Sequence, residues 1–302
     1  MVTAPGHLFC FGMGFSARRL APKLKILGWT ISGTSRTEEK AAHMTAQGFN
    51  AHLFDGSAPL PPDALEGVTH ILISAPPKGG IDPVLTQEGP RLAALPSLEW
   101  IGYLSTTGVY GDTGGAWVDE ATPVRPTQQR SKDRAEAEEK WLDLWRETDA
   151  PVHLFRLAGI YGPGRSAFDQ IAAGRAKRLI KPGQVFSRIH VDDIARVVFA
   201  SMRARDPGAI YNVCDDEPVP PQDVVTHACA LLGIEPPPEQ PFDADLLTPM
   251  AASFYADNRR VRNDRLIEDL KVELRYPTYR EGLAAILKEL PETPQPPGSA
   301  PG

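Results

Sequence analysis

The chain has 302 residues, 42% hydrophobic and 23% charged, with a formal net charge of −6. That balance describes a soluble globular chain of one large or two unequal domains. Net negative charge without any offsetting basic block argues against a nucleic-acid or membrane-surface binder, and no apolar run approaches membrane-spanning length.

An apolar run at residues 7–12 is predicted as the first strand. It enters the turn Gly12-Met13-Gly14-Phe15-Ser16-Ala17, followed by an amphipathic helix through Leu20, Leu24 and Leu27. Strand, Gly-x-Gly-x-x-Ala turn and helix in that order suit a dinucleotide pyrophosphate. Gly12 permits the tight turn, Gly14 keeps side-chain atoms off the phosphates, and Ala17 lets the helix sit close to the strand. The free N–H groups of the helix start then face the negative charge. Alone, the same residues fit a purely structural strand-turn-helix equally well.

Further strands are expected at residues 30–33, 51–54, 70–75, 100–105 and 152–157, alternating with helices near 16–27, 38–47, 84–94 and 130–148. The alternation predicts an α/β fold, a Rossmann-type doubly wound parallel sheet with helices on both faces. The 130–148 helix is highly charged, but Trp141, Leu144 and Trp145 give it an apolar stripe, and Pro126-Thr127 marks its start. After Arg156 a Gly- and Pro-rich loop at 159–164 leads to a short helix, a strand near 186–191, a helix at 192–204 and a strand at 209–214. Residues 1–160 are expected to form the dinucleotide-binding domain, with 192–215 returning to it. Residues 161–191 and 216–290 would form a smaller mixed substrate lobe, and 291–302, nearly all Pro, Gly, Ser and polar, a disordered tail. Cys10, Cys214 and Cys229 have no metal-ligand spacing and are expected as buried free thiols. The absence of a basic-then-apolar N-terminal segment gives no signal-peptide expectation, and a cytoplasmic setting fits.

Four segments join the glycine turn: Ser105-Thr106-Thr107-Gly108-Val109-Tyr110-Gly111; Arg156-Leu157-Ala158-Gly159-Ile160-Tyr161-Gly162-Pro163-Gly164; His190-Val191-Asp192-Asp193-Ile194-Ala195; and Tyr211-Asn212-Val213. Together, in this order, they resemble the extended and atypical short-chain dehydrogenase/reductases, the group of NAD-dependent epimerases and dehydratases. The glycine turn is one residue shorter than that family's usual form, as in its atypical members. After the second strand, Gly33-Thr34-Ser35-Arg36-Thr37 offers no acid for the ribose hydroxyls. Ser35 and Arg36 suit a 2′-phosphate, so NADP is expected ahead of NAD; the alternative is a solvent-facing Arg36 before the acidic pair Glu38-Glu39. Asp55 matches the family's adenine-contacting acid, or is a plain turn residue before Gly56. Ser74, Ala75 and Pro76 end the fourth strand where small residues let the backbone approach the nicotinamide half, or the prolines simply terminate it.

In the resembled family a Tyr four residues before a Lys supplies the proton, and a Ser or Thr hydroxyl binds the substrate carbonyl. Aligning Gln128-Gln129-Arg130-Ser131-Lys132, with Glu136, to the family's Tyr-Gly-x-Ser-Lys-x-x-x-Glu puts Thr106 at the hydroxyl, Lys132 at the ribose-binding ammonium and Gln128 at the tyrosine. An amide cannot exchange a proton near neutral pH. Tyr110 and Tyr161 lie in motifs that line the family's cleft and are the substitutes on offer, with packing beside the cofactor the favoured role for Tyr110. Lys132 has its own alternative, a solvated helix face with pairs such as Glu136 and Lys140. Arg165 and Arg188 flank the expected cleft, where they would hold an anionic substrate. Asp192 and Asp193 read as helix caps rather than metal ligands beside His190, and no metal site is expected. The basic cluster at 258–262 reads as a solvated helix start or a phosphate contact. No Gly-x-Ser-x-Gly elbow supports hydrolase chemistry.

The expectation is therefore an NADP-dependent oxidoreductase or epimerase-like enzyme acting on a small carbonyl or sugar-nucleotide-type substrate. The alternative is a non-catalytic dinucleotide-binding redox sensor. A small-molecule substrate is the expected partner, a homodimer stays open, and nucleic acid and membrane are not expected. A Rossmann protein of the 6-phosphogluconate-dehydrogenase kind is set aside, because those families lack the Val-Tyr-Gly and His-Val-Asp-Asp motifs.

Overall fold

In the computed structural model, which describes residues 5–290, the chain starts with β1 (His7–Phe11), α1 (Phe15–Ile26), β2 (Thr30–Ser35), α2 (Glu38–Ala46) and β3 (Asn50–Leu53). It then returns through β4 (His70–Ile73), α3 (Pro83–Ala93) and β5 (Trp100–Thr106). A short β6 (Trp117–Val118) precedes α4 (Gln129–Thr148), β7 (Val152–Leu157), β8 (Gly159–Tyr161), α5 (Ala167–Ala172), β9 (Arg178–Ile180) and β10 (Arg188–His190). Next come α6 (Val191–Ala204), β11 (Ile210–Val213), α7 (Pro221–Leu232), β12 (Glu239–Pro241), α8 (Pro249–Tyr255), β13 (Arg260–Val261), α9 (Asp264–Glu268) and α10 (Tyr279–Glu289).

Seven strands form the central sheet in the order β11-β7-β5-β4-β1-β2-β3, every pair parallel. The order reverses between β1 and β4, and in a doubly wound sheet that switch point is where ligands bind, beyond the strand C-termini. Side-chain alternation divides the core. Leu8 and Cys10 of β1 face α1 and α6, among Leu20, Leu24, Ile194 and Val198. Phe9 and Phe11 face α3 and α4, among Val84, Leu92 and Trp141. With both faces covered, all four residues of β4 are buried, His70 included. A third cluster, including Phe168, Ala228, Leu283 and Ile286, packs α5, α7 and α10 together.

The start of α6 corrects one expectation. Its cap is His190, whose Nδ1 accepts from the Asp192 N–H at 3.2 Å, leaving both aspartates to tie elements together. Asp192 accepts from Arg19 at 2.7 and 3.1 Å and from Lys23 at 2.6 Å, clamping α6 to α1. Burial alone would raise its pKa, but these cations win and hold the carboxyl at about 2. Asp193 accepts from the N–H groups of Arg275 and Tyr276. The three cysteines are free and buried. Among the described residues no helix is long and apolar enough to cross a membrane, and no His, Cys, Asp or Glu cluster is disposed to hold a metal ion. The expected tail at 291–302 lies outside the described residues.

Candidate active site

The first β-turn-α unit leaves its helix start open. Gly12 adopts φ +87°, and a Cβ there would lie 3.0 Å from Ser74 Oγ and 3.2 Å from the Ala75 nitrogen. The Gly12 N–H donates to Thr34 Oγ1 at 2.8 Å, and the Ser74 hydroxyl donates to the Gly12 carbonyl, so β2 and β4 hold the turn from both sides. Gly14 caps α1 without any side-chain hydrogen bond. The helical ladder begins with Arg18 N–H to the Gly14 carbonyl at 2.9 Å. The N–H groups of Phe15, Ser16 and Ala17 consequently have no partner among the described residues, and a Cβ on Gly14 would meet only Ser74 Oγ, at 3.8 Å. Bare donors at a positive helix end, with room above them, fit a dinucleotide diphosphate.

Met13 does not belong to that surface. Its N–H is spent on the Thr34 carbonyl at 3.3 Å, and its side chain is buried against Gly33. At the adenosine end Arg36 is exposed, while the Ser35 hydroxyl accepts from the Thr37 N–H and donates to the Thr37 carbonyl. Asp55 sits in an exposed turn. Its carboxylate accepts from the Ser57 hydroxyl at 2.6 Å and from the Ser57 N–H at 2.9 Å, which lower its pKa.

A cleft of about 910 Å³ opens beyond the C-terminal ends of β4 and β5. Pro76, Thr106, Tyr161, Arg165 and Arg188 line it. Thr106 accepts from the Gly108 N–H at 3.1 Å, which orients its hydroxyl. Arg165 lies 5.7 Å from the Phe15 ring centroid, so the segment that follows β8 meets the glycine turn directly. Arg188 donates to the carbonyls of Phe186 at 2.8 Å and Val219 at 3.4 Å. Beside it, burial pushes the Asp215 carboxyl up to about 8, against the pull of Arg188. Tyr161 is buried, donates to the Thr278 carbonyl at 3.4 Å, and has its phenol raised by burial. The lining is strongly cationic: Arg130, Arg134, Arg175, Lys177 and Arg259 join Arg165 and Arg188, against Asp169 and Asp257.

Two of the catalytic candidates, Tyr110 and Lys132, lie outside the cleft lining. Tyr110 is 1% exposed and outside the cleft lining. Its hydroxyl donates to Asn212 Oδ1 at 2.7 Å and accepts from Arg156 at 2.9 Å, and burial pushes its pKa up to about 12. It is a packing residue. Lys132 is exposed and likewise absent from the lining. The reason lies in how α4 docks. Glu138, not the exposed Glu136, makes the buried ion pair with Arg156, 2.8 Å long with both side chains 4% exposed. Glu138 also accepts from the Ser105 hydroxyl. Anchored on Glu138, the Tyr-x-x-x-Lys-x-x-x-Glu spacing falls on Arg130, Arg134 and Glu138, two residues later than the alignment through Gln128. Arg130 and Arg134 are indeed the α4 cations that line the cleft, with Gln128 and Ser131 beside them. Lys132 is displaced from each by two residues, roughly 200° around the helix. Lys132→Ala is accordingly expected to leave stability within about 0.5 kcal/mol and nucleotide affinity unchanged, checked by thermal melting and calorimetric titration.

Residues 97–214 match the model of the NAD dependent epimerase/dehydratase family. Protein YeeZ of Escherichia coli K12 is 29% identical over 238 residues, covering 75% of this chain and 84% of that one. A functionally unknown conserved protein from Silicibacter pomeroyi DSS is 53% identical, with a TM-score of 0.87 over 94% of this chain and 99% of its own. The dTDP-glucose 4,6-dehydratase of Bacillus anthracis, solved in complex with NAD, is 18% identical, with a TM-score of 0.73 over 94% of this chain and 96% of its own.

Proposed function

Because residues 97–214 match the NAD dependent epimerase/dehydratase family model, we propose that the chain is an NADP(H)-binding oxidoreductase or epimerase-like enzyme whose substrate is anionic, a sugar nucleotide being the class that the cationic cleft suits. The observation that carries this reading is the uncapped start of α1, where Phe15 meets Arg165 of a cleft lined by several arginines. The N–H groups of Phe15, Ser16 and Ala17 would hold the diphosphate, and Arg36 the adenosine 2′-phosphate. When bound, the nicotinamide supplies or accepts a hydride. Thr106, its hydroxyl proton still free to donate, would hold the substrate oxygen at the reacting carbon, while Arg165 and Arg188 would hold the substrate's phosphates. Tyr161, kept protonated by burial, would present a phenol at the wall rather than a base.

A second reading, a dinucleotide-binding redox sensor without turnover, is favoured by one feature: the α4 positions facing the cleft carry guanidiniums, which stay protonated and relay no proton near neutral pH. Turnover of sugar nucleotides or carbonyl compounds with NADPH by the wild-type protein excludes the sensor. Saturable nucleotide binding without turnover across such a panel favours it. For the cofactor, Arg36→Ala is expected to weaken NADPH binding about tenfold and to change NADH binding less than twofold, measured by fluorescence titration. Equal effects on both nucleotides would assign Arg36 to solvent.

A further inference from the structure

The first turns of α4 gather positive charge that no carboxylate meets in an ion pair among the described residues. Asp82, which feels Arg134 from further off, is spent on capping α3 through the N–H groups of Val84 and Leu85. Gln128 makes no side-chain capping bond to the helix, its amide donating instead to the Thr127 hydroxyl at 3.4 Å, and the first turn holds no acid. The earliest helical bonds run from Ser131 and Lys132 back to the Gln128 carbonyl, so the N–H groups of Gln129 and Arg130 have no acceptor among the described residues. A helix start already favours anions, and a cation in its first turn is electrostatically unfavourable, yet Arg130 stands there. Arg134 follows one turn later on the same face, half-buried. It donates to the Leu104 carbonyl and, at 3.2 Å, to the Tyr103 hydroxyl, which fixes it at the end of β5 next to Thr106. Arg130 lies against the Phe254 ring, 4.2 Å from its centroid. Neither guanidinium has a carboxylate partner among the described residues.

The acids that might compensate are engaged elsewhere. Asp257 takes Arg259 at 3.1 Å and the Thr127 hydroxyl at 2.6 Å. Asp169 is closed into a capping box with Ser166. Asp133, on the same helix, faces the N–H groups of Gly79 and Gly80 and the Gln129 amide.

We propose that Arg130, Arg134 and the free N–H groups of Gln129 and Arg130 form an oxyanion-binding subsite at the β5 end of the cleft, which takes a carboxylate or phosphate carried by the substrate close to Thr106. Planar, permanently charged forks match either group in bidentate fashion, and they fix the ligand rather than move its proton. The subsite deepens the reading of the cleft given above, but it is testable without any nucleotide.

Calorimetric titration of the full chain with oxalate and with inorganic phosphate provides the test. Arg130→Gln and Arg134→Gln are each expected to weaken the preferred anion about tenfold. Arg134→Lys should retain part of the affinity. Arg146→Gln, on the exposed face of the same helix, should stay within about twofold, the scale of screened long-range charge. Tighter phosphate binding identifies a phosphoryl ligand, and tighter oxalate binding a carboxylate. If Arg134→Gln fails to fold, the exposed Arg130→Gln decides. No binding by the wild type, no change in Arg130→Gln, or an equal loss in Arg146→Gln overturns the subsite. A protein that shows the expected anion pattern but binds no nicotinamide nucleotide refutes the oxidoreductase reading and keeps the subsite. The converse result refutes the subsite alone.

Discussion

Gly14→Ala is expected to weaken NADP(H) binding by about tenfold or more, roughly 1.4 kcal/mol, while the melting temperature stays within about 1 °C of wild type. Gly14 has φ −83°, which any residue adopts, and its added methyl would touch only Ser74 Oγ at an ordinary 3.8 Å. Nothing in the folded chain resists the substitution, so the methyl matters only to a ligand lying across the N–H groups of α1. Gly12→Ala separates the two effects. At φ +87° a Cβ costs on the order of 1–2 kcal/mol, and here it would also press on Ser74 and Ala75 at 3.0 and 3.2 Å. That variant should lose stability as well as affinity. Scanning and titration calorimetry on both proteins make the comparison, and unchanged affinity in Gly14→Ala would remove the diphosphate from this turn.

The largest stability effect should come from Glu138→Ala, a loss of about 3–5 kcal/mol. At 2–4 °C per kcal/mol for a chain of this class, the melting temperature falls by roughly 10 °C. Arg156 Nε and Nη2 both reach Glu138, at 3.1 and 2.8 Å, and Arg156 Nη1 reaches the Tyr110 hydroxyl. Truncating the carboxylate strands a guanidinium that is 4% exposed, between α4 and the C-terminal end of β7. Replacing the pair by apolar side chains of similar volume, Glu138→Leu with Arg156→Met, should recover much of the loss, because no charge is then left unpaired. Glu136→Ala should cost less than about 0.5 kcal/mol, being exposed. Thermal denaturation of the three variants checks this, and a cost at Glu136 equal to that at Glu138 would refute the docking of α4 described here.

The main sheet was legible because its signals are local. Residues 152–157 are predicted and found as a strand, and the expected helix at 38–47 ends one residue earlier, at Ala46. Apolar runs bounded by Gly and Pro suffice where both faces of a parallel sheet are buried. Pairs such as Trp117–Val118 with Arg260–Val261, only two residues long and far apart in sequence, leave no periodicity to read. The site was harder. The glycine turn was readable, but not that Met13 folds back over Gly33, a tertiary contact. The α4 register was lost because Gln128, Ser131, Lys132 and Glu136 match a spacing that Arg130, Arg134 and Glu138 also satisfy. Only a buried partner such as Arg156 distinguishes Glu138 from Glu136, and burial is invisible in so charged a segment. The basic cluster at 258–262 turned out to be neither helix start nor free patch: Arg259 donates to the Gly111 carbonyl at 2.6 Å and to Asp257, bracing one wall of the cleft.

Calorimetric titration of the purified wild-type chain with NADPH, with NADH in parallel, bears most directly on the whole account. One saturable site per chain, with NADPH the tighter ligand, is the predicted result. Absence of binding heat for both nucleotides at millimolar concentration would contradict it, leaving the open α1 terminus a structural turn and nothing more.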